Sequence, residues 1–322
     1  MIKYIAQRLF EGLIVIFCVV TVVFVVTRLL GDPTALLMPP GTSAADIANF
    51  RRDLGLDRPV ATQFLAFLTD AARGEFGQSF TQHRPAFDII WERLPATVSL
   101  ALVALTIGIL VGGLIGILSA VYEGTLLGSV LMLPALIGQA TPIFWLGLLL
   151  IQIFAVNFRL LPTGGMNGPE NYILPAITLG VFSTAAVARL LRSSAVEAAG
   201  EDYVRTAVAK GLVPRIVLFR HILRNAMLPT LTMVGILAGE LLGGAVITET
   251  VFGWPGVGLA IMDAIQMSDF SVVQAGVIVV ASIFVLVNLA VDLLYMLIDP
   301  RIRQSVLRSQ SAKTTSSEMA RP

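Results

Sequence analysis

The chain has little charge: only 13% of its 322 residues are Asp, Glu, Lys or Arg, whereas 56% are hydrophobic. Soluble globular domains carry about 25% charged residues, so this composition excludes an ordinary soluble domain. The mean hydropathy of +0.84 agrees with that exclusion. A net charge of +1 gives no electrostatic reason to expect nucleic acid as a partner. The sequence therefore predicts an all-α integral membrane protein with the lipid bilayer as its surroundings.

Residue types that carry covalent chemistry are also scarce. The single cysteine, Cys18, excludes an intrachain disulfide, and it lies in an apolar run that suggests no thiolate metal site. The sequence contains no H-E-x-x-H, no G-x-S-x-G and no G-x-x-x-x-G-K-[ST]. The chain is therefore predicted not to be an enzyme, to hold no cofactor or metal of its own, and to bind no ATP through a P-loop.

Long apolar runs are what the sequence does have. A membrane-spanning helix needs about 20 mostly apolar residues. Six segments qualify, at roughly 9–30, 97–122, 130–156, 172–191, 226–249 and 271–298. Pro134 and Pro142 predict kinks within the third of them. The first run is longer than the apolar region of a signal peptide, which is roughly 7–15 residues, so it is predicted to remain as a span.

The distribution of Lys and Arg predicts the orientation. The short connections near Glu123 and over 250–270 contain none of these residues. The connection between the fourth and fifth spans contains Arg189, Arg192, Arg205, Lys210, Arg215, Arg220 and Arg224, and the tail contains Arg301, Arg303, Arg308, Lys313 and Arg321. Because cationic loops stay in the cytoplasm, both termini and the basic loop are predicted to be cytoplasmic.

These features divide the chain into four regions. The predicted regions are the N-terminus with the first span (1–30), an extracytoplasmic segment (31–96), a five-helix core with a cytoplasmic loop at 193–225 (97–303), and a disordered tail (304–322). In the outer segment, Ser43 is a candidate N-cap for a short helix at 43–56, and Pro59 can start a second helix. This segment is either a cap on the membrane surface or a docking surface for an external partner.

Glycines recur every four residues in two of the predicted spans. In lipid, this spacing lets helix backbones approach closely, so both spans are expected to occupy central positions in the bundle. The glycines are Gly108, Gly112 and Gly116 in the second span, and Gly235, Gly239 and Gly243 in the fifth.

The basic loop between the fourth and fifth spans is the most elaborate connection. Glu201 and Asp202 suit the first turn of a helix, Glu201 and Arg205 have the favourable i,i+4 order, and Lys210-Gly211 is typical of a helix end. A short helix is therefore predicted at about 201–210. Pro214 can start a second helix, at 214–225, with an arginine-rich side and an apolar side. The loop either only satisfies the positive-inside rule or serves as a handle for a cytoplasmic partner.

Polar residues inside the spans are few. Glu240 lies near the middle of the fifth span, where an acid must either face water or bond to another helix. Asp292 is predicted to be ion-paired at a helix end, and Gln139 and Asn288 more often bond between helices than bind substrate. The candidates for lining a substrate path are Gln139, Trp145, Glu240 and Asn288.

Several short motifs follow one another along the chain: MIKYIAQRL, DLGLDRPVATQFLAFL, GEFGQSF, LLPTGG, the loop segments YVRTAVAKG and RHILRNAMLP, ETVFGWPGVG and DPRIR. In this order they resemble the B-type permease subunits of dipeptide and oligopeptide ABC importers over nearly the whole chain. The general ABC permease loop pattern, E-A-A-x3-G, does not fit Glu197-Ala198-Ala199, because Tyr203 stands where glycine is required. Counting back from Gly211 places Arg205-Thr206-Ala207 there instead.

The resemblance implies a type I ABC-importer fold in a prokaryotic inner membrane and a set of partners. These are a homologous second permease, two ATPase subunits that hold ATP and Mg²⁺, and an external binding protein that delivers peptide. A coupling helix near 201–211 would contact the ATPase through Tyr203, Arg205, Thr206, Ala207, Lys210 and Gly211. The alternatives are the same architecture importing a nickel complex, a glutathione-like compound or haem, or a secondary transporter.

Overall fold

The computed structural model describes residues 2–29, 42–53 and 57–298, and in these ranges the chain is almost entirely helical. The strand-like pairing within them is one isolated bridge between Gln78 and Pro85. The all-α prediction is therefore confirmed.

The tail predicted to be disordered, 304–322, and the DPRIR motif at 299–303 lie outside the described residues. The helices in chain order are α1 Ile2–Leu29, α2 Ala44–Asp53, α3 Val60–Arg73, α4 Ala86–Val121, α5 Leu126–Ala140, α6 Ile143–Asn157, α7 Ile173–Gly200, α8 Asp202–Ala209, α9 Pro214–Phe252, α10 Val257–Gln266 and α11 Phe270–Ile298. Helices α1, α4, α7, α9 and α11 are long and apolar enough to cross a membrane.

The third predicted span is a pair of short helices. α5 and α6 meet at an angle of 109°, and the described chain has six spans if this pair counts as one. The break lies at Thr141 and Pro142, where Pro142 stands at the N-cap of α6. Pro134 lies inside α5 and does not cause the break. The expected kink at Pro142 is confirmed, but it is far sharper than a kink within one continuous helix.

Two spanning helices extend well beyond their predicted limits. α4 begins at Ala86 rather than near residue 97, and its 36 residues make it about 54 Å long at 1.5 Å per residue. The hydrocarbon core is about 30 Å thick, so part of α4 must project out of it. α9 begins at Pro214 and continues to Phe252. The second helix of the basic loop and the fifth span are therefore one helix.

The outer segment forms the two helices that the sequence predicts. The backbone N–H of Asp46 donates to Ser43 Oγ at 3.2 Å, which confirms Ser43 as the cap of α2. α3 follows Pro59 and ends at Gly74, whose φ of +78° lies in the left-handed region that favours glycine.

α3 packs its aromatic side against the first span. The ring of Phe64 lies 6.1 Å from the ring of Phe17 and 5.3 Å from that of Phe24, and Phe67 also contacts Phe24. The opposite side of α3 exposes Leu65. The apolar side of α3 is therefore used within the chain, and a docking role for its outer side remains a prediction.

The glycine ladder of α4 lies against α7. A Cβ on Gly108 would collide with the Ser183 side chain, one on Gly112 would lie 2.5 Å from the Thr184 carbonyl oxygen, and one on Gly116 would lie 2.8 Å from that of Ala188. The predicted close approach of α4 is confirmed.

In α9, two of the three ladder glycines face α11. A Cβ on Gly235 would collide with Val291, and one on Gly239 would lie 3.2 Å from the ring of Phe284. Gly243 has open space beside it. The packing prediction is confirmed at the first two positions and is wrong at Gly243.

Replacing Gly112 with alanine is expected to destabilise the bundle, since the new methyl group would meet a backbone carbonyl. Overpacking of this kind costs about 1–3 kcal/mol. Gly113→Ala is the matched control, because a Cβ at Gly113 has no atom within 4 Å and alanine favours helix over glycine. Thermal melting of the detergent-solubilised protein compares the two variants. Equal melting temperatures would contradict the close contact between α4 and α7.

Ion pairs join elements that the predicted topology places on one side of the membrane. Arg192 of α7 pairs with Glu123, in the connection between α4 and α5, at 2.9 Å. Arg8 of α1 pairs with Asp292 of α11 at 3.0 Å. The predicted ion pairing of Asp292 is confirmed, with a partner from the first span.

Candidate functional site

The short helix of the basic loop, α8, begins one residue later than the charge pattern predicts. Glu201 is the N-cap, with an extended backbone (φ −73°, ψ 150°), and Asp202 is the first helical residue. The Arg205 guanidinium lies 3.5 Å from Asp202 Oδ1, so the expected pairing of Arg205 with Glu201 is wrong. Because Glu201 precedes the helix, its side chain does not follow the helical repeat. Thr206 Oγ1 donates to the Asp202 carbonyl at 2.8 Å.

The turn that ends α8 depends on Gly211. Its φ of +76° lies in the left-handed region, and a Cβ there would have no atom within 4 Å. Backbone conformation, and not lack of space, therefore favours glycine. The Gly211 N–H donates to the Val208 carbonyl at 2.9 Å, and the Leu212 N–H donates to that of Ala207 at 3.3 Å. The predicted helix end at Lys210-Gly211 is confirmed.

α8 has an outer side and an inner side. Of the six residues predicted to contact an ATPase, five are exposed: Tyr203, Arg205, Thr206, Lys210 and Gly211. Ala207 is only 4% exposed and forms a small apolar cluster with Val204 and Val217. Ala207 therefore holds α8 on α9 and does not offer its side chain to another subunit.

The start of α9 contains a π-helical turn over Val217–Ile222. Such a turn accommodates an extra residue, and π-helical turns occur frequently at functional sites. It lies between Pro214, where α9 begins, and the part of α9 that crosses the membrane. The pattern of apolar and basic residues over 214–225 predicts a regular helix and does not indicate the π-helical turn.

A polar contact joins α8 to α9 beyond this turn. The Asn225 amide donates to the Tyr203 hydroxyl oxygen at 2.9 Å and to the His221 carbonyl oxygen at 2.9 Å. The Tyr203 hydroxyl in turn lies 3.5 Å from the same His221 carbonyl. The sequence singled out Tyr203 only as a contact for a partner; the structure shows that its hydroxyl also has partners within the chain.

Two of the candidate path residues flank the break between α5 and α6. Gln139 Oε1 accepts a hydrogen bond from Arg189 of α7 at 2.7 Å, which confirms the expected bond between helices. Trp145 is 51% exposed at the start of α6. Neither residue is held in a buried site within this chain.

The other two candidates are Glu240 on α9 and Asn288 on α11. Asn288 donates to the Phe284 carbonyl of its own helix at 2.9 Å, so the expected bond to another helix is not the one formed. Glu240 is exposed, and among the described residues no hydrogen bond or ion pair reaches it. Since a carboxylate at this depth is costly in lipid, its side of α9 must face water or another subunit.

A buried acid that the sequence pattern did not reveal lies nine residues further along α9. Glu249 is fully buried: its Oε1 accepts from the Thr97 hydroxyl at 2.7 Å and its Oε2 from the Leu259 N–H at 3.1 Å. Thr97 Oγ1 also accepts from the Val257 N–H at 2.8 Å. We call Thr97, Glu249, Val257 and Leu259 the Glu249 cluster; its hydrogen bonds tie α4, α9 and α10 together.

Two glycines make room for the Glu249 carboxylate. A Cβ on Gly256 would collide with the carboxyl carbon, and one on Gly258 would lie 2.8 Å from Oε2. Trp254 is also fully buried, and its indole N–H donates to the Ala96 carbonyl at 3.0 Å. The glycines and the acid of ETVFGWPGVG are thus parts of one packed turn, which sequence spacing alone does not show.

A second buried acid fixes the outer loop to the last helix. Asp269 is 1% exposed and precedes α11. Its Oδ2 accepts from the Ser79 hydroxyl at 2.5 Å, the Thr81 hydroxyl at 3.0 Å and the Thr81 N–H at 3.3 Å. The GEFGQSF segment therefore forms a turn, as predicted, that is held against the rest of the bundle.

Comparison with known proteins adds to this geometry. The sequence profile described as the binding-protein-dependent transport system inner membrane component matches residues 112–304, and the profile of its N-terminal region matches residues 1–101. The chain belongs to this family. It is a permease subunit of an ABC importer.

Similar permeases include two named as glutathione transport system permease protein GsiC. The Salmonella typhi protein is 41% identical and the Escherichia coli (strain K12) protein 40% identical, each over 304 residues, which cover 94% of this chain and 99% of the relative. With 94% of the chain covered, the likeness includes most of the outer segment, the basic loop and the Glu249 cluster.

Solved ABC transporters share the fold of this permease. An amino acid ABC transporter with histidines superposes with a TM-score of 0.52 at 22% identity, covering 66% of this chain and 94% of that one. The inward-facing MetNI methionine ABC transporter gives 0.55 at 18% identity, covering 66% and 96%. The predicted ABC-importer permease fold is confirmed.

Proposed function

We propose that this permease pairs with a homologous second permease to form one path through the inner membrane. Two cytoplasmic ATPase subunits, which hold ATP and Mg²⁺, drive transport through this path, and an external binding protein delivers the cargo. The observation that supports this assignment is α8, a short exposed helix held on the end of a continuous membrane-spanning helix.

The exposed side of α8 has the chemistry to bind an ATPase. Arg205 and Lys210 would donate hydrogen bonds to carboxylates or backbone carbonyls of that subunit, and charge-assisted bonds of this kind are among the stronger ones. ATP binding would bring the two ATPases together and shift both coupling helices. α9 would then transmit the shift into the membrane, since one helix from Pro214 to Phe252 joins the basic loop to the fifth span, with the π-helical turn near its start.

We propose a peptide-like cargo. The names of the relatives favour the glutathione-like alternative over a dipeptide or oligopeptide, so glutathione is the first compound to test. Nearly full-length relatives are named as glutathione permeases. An exposed Glu240 without a partner among the described residues suits a water-filled path. In the second candidate function, the same architecture carries a non-peptide cargo such as a nickel complex or haem.

The experiment that tests this function begins with purification of the tagged permease in mild detergent from its own host. A second permease and ATPase subunits are expected to co-purify. The complex, reconstituted in liposomes with its binding protein, is then expected to import labelled glutathione or a labelled dipeptide only when ATP is supplied. Purification of the chain alone, or uptake driven by an ion gradient without ATP, would contradict the proposal.

A further inference from the structure

The two helices of the coupling loop touch at the π-helical turn and beyond it. At the turn itself, Val204 and Ala207 of α8 cluster with Val217, its first residue, and Ile222, its last residue, packs against the same cluster. Beyond the turn, Tyr203 bonds to Asn225. α8 therefore lies along the π-helical turn and contacts α9 at both of its ends.

This arrangement matters because the turn is a weak point in α9. A π-helical turn is a local departure from the i→i−4 hydrogen bonds that stiffen a helix, and helices bend at such places. If movement of α8 reached α9 only through the backbone at Gly211 and Pro214, it would have to be transmitted through Val217–Ile222. Part of the movement would be absorbed there as bending.

We propose that the hydrogen bond between Tyr203 and Asn225 carries the movement of α8 into α9 past the π-helical turn. Tyr203 and Asn225 are thus positioning residues for transport, and they act by joining two parts of one chain. This inference rests on the proposed function, because it takes α8 as the element that the ATPase moves.

The geometry of the contact suits this role. An asparagine side chain has two N–H donors, and both have acceptors at 2.9 Å: the Tyr203 hydroxyl oxygen and the His221 carbonyl oxygen. The bond to His221 orients the amide, so that its second N–H points towards α8. The Tyr203 hydroxyl lies close to the same carbonyl, at 3.5 Å, which brings all three groups together.

The competing role for Tyr203 is direct contact with the ATPase, since its side chain is still 39% exposed. The two roles differ in what removal of the hydroxyl would do. Loss of a direct contact would weaken the association of the ATPase, and changes at Asn225 would leave that association unchanged. Loss of the internal bond would leave the association intact and would reduce the movement of α9.

The test uses the whole importer in liposomes, with the permease in a Cys18→Ser background and Thr232→Cys carrying a fluorophore. Thr232 is exposed on α9 beyond the turn, so its probe reports whether that part of the helix moves when ATP binds. The test variants are Tyr203→Phe, Asn225→Ala and the double variant. Tyr122→Phe is the matched control, because Tyr122 is exposed in the connection after α4.

Tyr203→Phe is expected to reduce the ATP-dependent change in probe fluorescence roughly fivefold, the size of effect that one hydrogen bond supports. Asn225→Ala should do the same, and the double variant should lose no more than either single variant, because both remove one bond. The amount of co-purified ATPase and the signal of Tyr122→Phe should match the parent. Glutathione uptake per ATP hydrolysed should fall in parallel with the probe signal.

Three results would overturn the proposal: an unchanged probe response in Tyr203→Phe, additive losses in the double variant, or a probe in the parent that does not respond to ATP. Reduced ATPase association in Tyr203→Phe alone would assign the hydroxyl to the ATPase contact instead. Failure of the proposed function looks different, since no ATPase would then co-purify with the unaltered chain.

Discussion

Replacing Glu249 with alanine is expected to lower the stability of the permease by about 3 kcal/mol, because two buried donors lose their acceptor. These donors are the Leu259 N–H and the Thr97 hydroxyl, both of which bond to the Glu249 carboxylate in a fully buried site. The variant should melt at a clearly lower temperature in detergent. Glu249→Gln, which keeps the size and one acceptor oxygen, should lose less.

Glu240→Ala is the matched control for this loss. Glu240 lies nine residues before Glu249 on the same helix, is exposed, and has no hydrogen bond or ion pair with the described part of the chain. Its replacement should leave the melting temperature of the isolated subunit close to that of the parent. If Glu240→Ala and Glu249→Ala melted at the same temperature, the hydrogen bonds of the Glu249 cluster would not stabilise the bundle as proposed.

Gly211→Pro is expected to abolish uptake while leaving the permease in the membrane. Proline cannot adopt the φ of +76° found at Gly211, and it lacks the N–H that donates to Val208 at 2.9 Å. The turn between α8 and α9 would therefore open, and the exposed side of α8 would no longer be presented in a fixed orientation. ATP-dependent uptake in liposomes and the amount of membrane-inserted permease are measured together.

Two further substitutions distinguish the effect of the backbone conformation at Gly211 on uptake from the effect of the positive charge at Arg205. Gly211→Asn should retain much of the uptake, because asparagine tolerates the left-handed region better than other side chains. Arg205→Glu should abolish uptake with no loss of insertion, since Arg205 is exposed and its only described ion pair is a long, solvent-exposed one with Asp202. Uptake that survived both Gly211→Pro and Arg205→Glu would contradict the coupling role.

Much of the topology could be predicted from the sequence, because lipid imposes one strong rule on apolar segments. Every backbone polar group must be bonded within the span, so a run of about 20 apolar residues predicts a helix. The end of α8 and the start of α9 were also predictable, since Lys210-Gly211 and Pro214 are local signals. Residues close together in the sequence determine the spans and these helix ends, with no need for contacts between distant parts of the chain.

The break between α5 and α6 and the continuity of α9 could not be predicted in the same way. Pro142 and Pro229 look alike as residues inside apolar runs, yet the chain turns by 109° at the first and continues as a helix through the second. Residue type alone therefore does not decide whether a proline breaks a helix. The π-helical turn at Val217–Ile222, which contacts α8, was likewise not apparent from the regular pattern of 214–225.

The two glutamates of α9 show where prediction from sequence fails. Glu240 is conspicuous because it lies mid-span, whereas Glu249 looks like an ordinary residue at a helix end. In the structure Glu249 is the buried and bonded acid, because Gly256 and Gly258 make room for its carboxylate. The sequence does contain an acid followed by closely spaced glycines. That this pattern buries the acid becomes apparent only from the turn that the fold forms.

Cross-linking of α8 to the ATPase tests the central claim most directly. In a Cys18→Ser background, the assembled importer carries either Arg205→Cys, on the exposed side of α8, or Arg159→Cys, in the connection after α6. A short thiol-to-amine cross-linker is predicted to join the permease to the ATPase from position 205, with a yield that changes when ATP is added, and not from position 159. Absence of any ATPase cross-link from position 205, or an equal yield from both positions, would contradict α8 as the coupling helix.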